Sequence, residues 1–197
     1  MSKRFLLFGE KPFAIFAREK FAEISVNIGN MSDIEVIMYK EHFYDLIKTT
    51  LKANAFKKLE FCFDNQIVDL VGRQNHNEKR YFAEYSLIVK GDMYFLGLSP
   101  YDSGYRPVDL VVQTRGDVMS FEIDTCCAFE ELPPQATELV RKEYDRIKRY
   151  ITNTVENLNH TIDHFNRELE KFIVPVLAEK LRKAERCLLI KDKLNFK

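Results

Sequence analysis

The sequence has few of the residues that build metal centres or disulfide frameworks. Its four cysteines stand at positions 62, 126, 127 and 187, as one adjacent pair and two distant single residues. This spacing matches neither a zinc-ligand pattern nor the dense framework of a small secreted domain. We therefore expect reduced thiols in a cytoplasmic protein that carries no metal and no other cofactor.

The sequence also has no net charge and no long apolar run. Thirty basic residues balance thirty acidic ones, so we expect no global attraction to nucleic acid or to an anionic membrane. The apolar run at residues 5–8 ends at once in Gly9, Glu10 and Lys11, which predicts neither a signal peptide nor a transmembrane span. None of the seven glycines belongs to a P-loop, a dinucleotide fingerprint or a nucleophile elbow.

The strongest pattern present is a helical one in the C-terminal third. Pro133 precedes it, Pro134 suits a place at or near its first position, and neither glycine nor proline occurs from residue 135 to 174. Apolar residues recur at steps of three and four, which predicts one long helix that Pro175 bends rather than ends. The central part of this pattern, called here the apolar stripe, consists of Ile151, Val155, Leu158, Ile162, Phe165, Leu169 and Phe172.

Residues 58–125 alternate apolar and polar side chains between turn residues, which predicts one antiparallel sheet. Two hairpins are expected, 80–90 with 93–99 across Gly91, and 108–114 with 118–124 across Gly116, and a further turn at residues 64–65. The predicted core side chains are Leu59, Phe61, Phe63, Leu87, Phe95, Leu110, Val112, Phe121 and Ile123.

The N-terminal region is rich in phenylalanine, and Ile24, Val26 and Ile28 alternate with polar neighbours. This alternation predicts a strand, followed by a second strand at 34–39 and a helix at 40–54 that buries Phe43, Ile47 and Leu51. The fold class is therefore α+β, an antiparallel β-meander with one short helix, followed by a long C-terminal helical segment. The predicted domains are residues 1–132 and 133–197.

The apolar stripe also suggests a function. An exposed stripe of this length would exceed the apolar patch that a soluble monomer tolerates, so we expect a second copy of the chain or another protein to cover it. The rival is a helical hairpin bent near residues 157–159, which would bury the stripe within one chain. The first hypothesis is thus a non-enzymatic interaction or scaffold module that oligomerises or docks through its C-terminal helix.

Two other functions are weighed against that module. Asp109, Glu122 and Asp124 are similar in outline to a metal-nuclease pattern in which a carboxylate is followed by Glu-x-Lys, although Asp124 occupies the place of the lysine. An exposed sheet face with alternating polar residues would look the same. A further interpretation is a regulator that senses a ligand in the β-rich domain and transmits the signal through the helix.

Other candidate side chains lie on the long helix and in one loop. His160 and His164 have the spacing of metal ligands, but the heptad places both on the outer face of the helix. Tyr101, Tyr105 and Arg106 could form a small contact site. Candidate contacts to phosphate, including nucleic acid, or to an acidic partner are Arg141, Lys142, Arg146, Lys148, Arg149, Arg182, Lys183 and Arg186.

Overall fold

The computed structural model describes residues 3–75, 78–101, 108–128 and 131–195, the side chains of 75, 78 and 191–195 excepted. The protein is of the α+β class, as predicted. Within these ranges no helix is long and apolar enough to cross a membrane. The elements are β1 (Lys3–Leu6), β2 (Lys11–Pro12), α1 (Phe13–Asn30), α2 (Asp33–Met38), α3 (Phe43–Asn54), β3 (Glu60–Asn75), β4 (Glu78–Lys90), a 3₁₀ turn (Met93–Gly97), β5 (Leu98–Ser99), β6 (Val111–Arg115), β7 (Val118–Asp124) and α4 (Pro134–Asn195).

Five strands form one antiparallel sheet in the order β1-β6-β7-β4-β3. This confirms the predicted antiparallel sheet but corrects its topology, because β4 pairs with β3 and β7 rather than with the segment that follows it in the chain. Strands β2 and β5 form a separate parallel pair of two residues each. The sheet therefore depends on a long-range pairing that a meander would not contain.

One of the two predicted hairpins is confirmed. β6 pairs with β7 across a turn in which Gly116 has a φ of 63°, a conformation that glycine adopts without strain. The predicted pairing of 80–90 with 93–99 is wrong, because residues 93–97 coil into the 3₁₀ turn. The predicted turn at 64–65 is also wrong, since it lies in an irregular stretch of β3 where the register with β4 shifts.

The two strands predicted in the N-terminal region are helices. In α1, Phe13, Ile24 and Ile28 are buried while Val26 is exposed, so the apolar face has helical spacing and the alternation was misleading. In α2, the Ser32 hydroxyl accepts a hydrogen bond from the Glu35 amide at 3.1 Å. This N-cap outweighs the β-branched residues that follow it. Three helices therefore lie between β2 and β3, where one short helix was predicted.

The third helix starts later than predicted. α3 begins at Phe43 instead of residue 40. Its fully buried side chain is Leu46, whereas the three predicted ones, Phe43, Ile47 and Leu51, are half-buried. The C-terminal helix is predicted more closely, since α4 begins at Pro134 and continues through Pro175 without a break at residues 157–159. A hairpin bent at that point is therefore not formed.

The chain forms two compact units, Met1–Phe13 with Lys57–Thr161, and Ala14–Phe56 with Ile162–Lys197. These units do not follow the predicted boundary at residue 132. The physical reason is that α4 contributes its first half to the sheet unit and its second half to the unit that contains α2, α3 and most of α1.

In the sheet unit, the first half of α4 covers one face of the sheet. The Tyr144 ring stacks on Tyr85, with 4.4 Å between ring centroids, and lies 6.4 Å from Phe121. Two of the predicted core residues, Phe61 and Phe63, are only half-buried. The other predicted core residues are buried, as expected: Leu59, Leu87, Phe95, Leu110, Val112, Phe121 and Ile123.

In the other unit, phenylalanines from α1 and from the segment after α3 pack on the second half of α4. Phe165 lies 4.8 Å from Phe21 and 5.2 Å from Phe56, measured between ring centroids. Phe172 lies 4.8 Å from the same Phe21 ring. Phe21 therefore belongs to a helical core.

Two asparagines on α4 hold the backbone that leads from α3 to β3. In the sheet unit, the Asn159 side chain accepts from the Leu59 amide at 2.8 Å and donates to the Leu59 carbonyl at 2.7 Å. In the other unit, Asn166 makes the same pair of bonds with Phe56, at 3.0 and 2.9 Å. Each amide group thus satisfies both backbone groups of one residue.

Candidate functional site

The apolar stripe lies inside the chain. Phe172 is half-buried, and the other members are buried: Ile151, Val155, Leu158, Ile162, Phe165 and Leu169. A second copy or another protein was expected to cover the stripe because these side chains were expected to be exposed on a single chain. Since they are buried within the chain, that expectation is corrected here. A surface for a partner has to be sought elsewhere on the molecule.

Four of the eight predicted phosphate-binding residues lie beside acidic groups. Arg146 pairs with Glu143, and this hydrogen bond is the main cause of a lowered pKa of the Glu143 carboxyl. Lys142 lies 3.5 Å from Glu138, and the Lys148 ammonium is 5.0 Å from the centroid of the Phe63 ring. These contacts are typical of a solvated helix surface.

The second basic group shows the same pattern. Arg182 and Lys183 both pair with Glu179, at 2.8 and 3.7 Å. Arg141, Arg149 and Arg186 are exposed. Phosphate contact by either group stays a prediction.

The three carboxylates of the nuclease hypothesis do come together. Asp109, Glu122 and Asp124 line one shallow cavity of about 300 Å³ on the open face of the sheet. Glu122 pairs with Arg73, and Asp124 lies 3.4 Å from Arg80. Within the described part of the chain, no three His, Cys, Asp or Glu side chains are grouped so that they could hold a metal ion.

The remaining sequence candidates are isolated from one another. His160 and His164 are exposed on α4, which confirms their predicted outer position. Tyr101 accepts a hydrogen bond from Asn157 at 3.3 Å, whereas Tyr105 and Arg106 lie outside the described residues.

The most unusual surface of the sheet unit is strand β3. β3 is 16 residues long and stands at the end of the sheet, with β4 as its only neighbour among the described strands. Its apolar side chains are exposed to an unusual degree: 63% for Ile67, 48% for Val68 and 38% for Leu70. We call residues 67–72 the β3 edge. Long apolar edges of this kind are sites where another strand can pair.

Hydrogen bonds elsewhere in the sheet show which backbone groups of the β3 edge point outward. The Tyr81 amide donates to Cys127 and the Val89 amide donates to Asp117, so odd-numbered residues of β4 direct their backbone groups away from β3. The backbone groups of even-numbered β4 residues therefore point toward β3 and bond to it. Between residues 67 and 73 of β3, the partners of these even-numbered residues are odd-numbered, for example Ile67 opposite Ser86 and Arg73 opposite Arg80. The N–H and C=O groups of Val68, Leu70 and Gly72 consequently face outward.

A groove of about 490 Å³ runs between β3 and the start of α4. Val68 and Leu70 form its β3 wall, and Val140 and Arg141 are on its α4 wall. At one end the Tyr144 hydroxyl donates to the Gln66 side-chain oxygen. Burial, with a smaller contribution from neighbouring charge, raises the pKa of both Tyr85 and Tyr144. The groove thus combines an apolar wall with a few polar groups, as binding clefts do.

Sequence reasoning identified the β3 residues but missed their role. The alternation around Val68 and Leu70 marks a strand, yet it is the same for a central strand and for an edge strand. The available signal was that Ile67, Val68, Leu70 and Val71 make both faces of the strand apolar, which requires cover on both faces.

Comparison with known proteins adds no relative. No protein-family model matches the chain, and no curated protein and no solved structure is detectably similar to it. What the structure defines is an α+β protein with a five-stranded antiparallel sheet and an apolar edge strand beside a groove. Its function is therefore inferred from that geometry.

Proposed function

We propose that the protein is a non-enzymatic interaction module that binds an extended protein segment along the β3 edge. The observation that carries this proposal is a 16-residue edge strand with three exposed apolar side chains and outward backbone groups. An added strand would supply hydrogen bonds to Val68, Leu70 and Gly72, which is the chemistry of β-strand addition. Its side chains would enter the groove between β3 and α4.

Features of β3 limit where such a segment can bind. The register shift between Cys62 and Ile67 interrupts the first part of the strand, and irregularities of this kind discourage pairing. Beyond it, residues 67–72 are regularly paired with β4. The usable length of about six residues spans roughly 20 Å at 3.3 Å per residue, which suits a short extended peptide.

The proposal gives α4 a different part in binding from the one expected. Its stripe supports the core, while Val140 and Arg141 near its start form one wall of the groove. Docking through the C-terminal helix is thus replaced by docking beside it.

The variant Leu70→Pro tests this function. Proline removes the outward N–H of residue 70 and leaves the bonds of Asp69 and Val71 to β4 intact, so the fold should tolerate it. We expect wild-type protein to enrich extended, β-branched nonapeptides from a random displayed library. Binding of the enriched peptides should fall at least about tenfold in Leu70→Pro, because a central hydrogen bond is lost and the ring obstructs the new strand.

The matched control is Leu70→Val, which shortens the side chain and keeps the amide. It should retain the enriched peptides, and thermal unfolding should show that both variants are folded. Equal binding by Leu70→Pro and wild type, or no enrichment by wild type, would refute binding at the β3 edge.

The enzymatic alternative is a divergent metal nuclease or nucleotide-processing enzyme. Its support is that Asp109, Glu122 and Asp124 line one cavity. Against it, the two carboxylates on β7 already pair with Arg73 and Arg80. A rise in melting temperature with added Mg²⁺ or Mn²⁺, abolished by Glu122→Gln, would favour this alternative.

A further inference from the structure

We infer that the segment bound at the β3 edge is the β3 edge of a second copy of this chain, antiparallel to the first and related to it by a two-fold axis at Val71. This inference rests on the proposed function and names its partner. The result would be one continuous sheet of ten strands, made from the five strands of each copy.

The backbone directions restrict the registers that two copies can adopt. Outward-facing groups belong to even-numbered residues, so even residues of one copy must lie opposite even residues of the other. A two-fold axis at Val71 satisfies this condition, with Leu70 opposite Gly72 of the partner. Together with Val68 opposite Gln74 of the partner, this register supplies about eight backbone hydrogen bonds across the dimer.

Charge selects this register among the neighbouring ones. An axis at Asp69 would place two aspartates opposite each other, which is unfavourable. An axis at Leu70 would place Asp69 opposite Val71 and Arg73 opposite Ile67. With the axis at Val71, Asp69 of each copy faces Arg73 of the other, so two opposite-charge pairs form by symmetry.

In the single chain, Asp69 and Arg73 lie on the face of the sheet where these contacts would form, and Arg73 would turn from its own Glu122 to reach Asp69 of the second copy. Register with β4 places Asp69 and Arg73 on the same, open face of the sheet as Glu84 and Arg80. The Arg73 guanidinium pairs with Glu122 and lies 5.8 Å from the centroid of the Phe82 ring. Arg73 is half-exposed, so donors remain for a second carboxylate.

The opposite face fits the same register. Gly72 has no side chain, and a Cβ there would lie 3.0 Å from the Tyr81 ring. Leu70 of the second copy would lie opposite this glycine and diagonal to Leu70 of the first, and Gln74 of the second copy would lie opposite Val68. The exposed apolar surface of Leu70 would thereby be reduced.

Charge reversal tests the inference. In a dimer of the Asp69→Lys variant, the new lysine of each copy faces Arg73 of the other, so both side chains of each pair are positive. In a dimer of the Arg73→Glu variant, the new glutamate of each copy faces Asp69 of the other, so both are negative. Each variant alone should dimerise about tenfold to a hundredfold more weakly than wild type, because two attractive pairs become repulsive. An equimolar mixture should recover association, since every pair is then of opposite sign. Sedimentation velocity over a range of concentrations measures all three samples.

Control variants keep this test specific. Asp117→Lys and Arg186→Glu make the same charge changes at exposed positions away from the β3 edge and should associate like wild type. Arg73→Glu also loses the pairing with Glu122, so its thermal unfolding is measured, and Arg73→Gln serves as a neutral variant with an intermediate loss of association.

Two results would overturn the inference. If both charge variants associate as strongly as wild type, the register is wrong. If wild type is monomeric up to about 100 μM, the partner is not a second copy. In that case the enrichment of peptides by wild type and not by Leu70→Pro would leave the proposed function standing, whereas its absence would refute both.

Discussion

Leu158→Asp is expected to abolish the cooperative fold. Leu158 is fully buried, so the variant loses about 2–5 kcal/mol of apolar packing and must also bury or expel a carboxylate at a cost of several kcal/mol more. The sum is comparable to the whole stability of a typical domain, about 5–15 kcal/mol. Circular dichroism during heating should show no cooperative transition, at low and at high protein concentration alike.

His160→Asp is the matched control for this experiment. It introduces the same side chain two residues further along α4, at an exposed position, and should change stability by about 0.5 kcal/mol or less. A Leu158→Asp protein that unfolds cooperatively as a monomer would contradict an internal stripe. It would instead support the seam between chains that the sequence suggested.

Asn159→Ala is expected to destabilise the sheet unit by about 1.5–5.5 kcal/mol. The substitution leaves the amide and carbonyl of buried Leu59 without the partners that Asn159 now provides, and each orphaned group costs about 1–3 kcal/mol. The better helix propensity of alanine offsets only about 0.5 kcal/mol. Urea denaturation should show this loss as a lower midpoint.

Asn153→Ala makes the same substitution at an exposed position of the same helix. It should be neutral or slightly stabilising, because only helix propensity changes. Equal midpoints for Asn153→Ala and Asn159→Ala would show that the contact to Leu59 contributes nothing.

Features governed by near neighbours were predicted well. The start of α4 at Pro134 and the β6–β7 hairpin with its turn at Gly116 both depend on residues a few positions apart. The antiparallel sheet and most of its core followed from period-two patterning. The helical period of α4 is strong enough to persist through Pro175.

Features governed by distant contacts were not predictable in the same way. The apolar stripe looked uncovered because Phe21 and Phe56, which pack on Phe165, lie more than a hundred residues earlier in the chain. Because α1 was predicted to be a strand, the packing of Phe21 on the stripe could not be anticipated. An argument from an exposed patch therefore failed once the N-terminal helix had been assigned wrongly.

The position of β3 at the end of the sheet has a similar origin. It follows from the pairing of β4 with β7. The 3₁₀ turn, β5 and β6 separate these two strands in the chain. Nothing in residues 67–72 alone distinguishes an edge from a centre. The bonds between Asn159 and Leu59 were equally hidden, because nothing in the neighbouring sequence distinguishes Asn159 from the exposed Asn153 on the same helix.

Amide hydrogen exchange at the β3 edge tests the central claim most directly. The amides of Val68, Leu70 and Gly72 point outward, whereas those of Ile67, Asp69 and Val71 bond to β4. As protein concentration rises, exchange at the three outward amides should slow by about tenfold or more, while exchange at the other three stays unchanged. Fast outward exchange at every concentration, and also in the presence of peptides enriched by the wild-type protein, would contradict a binding role for this strand.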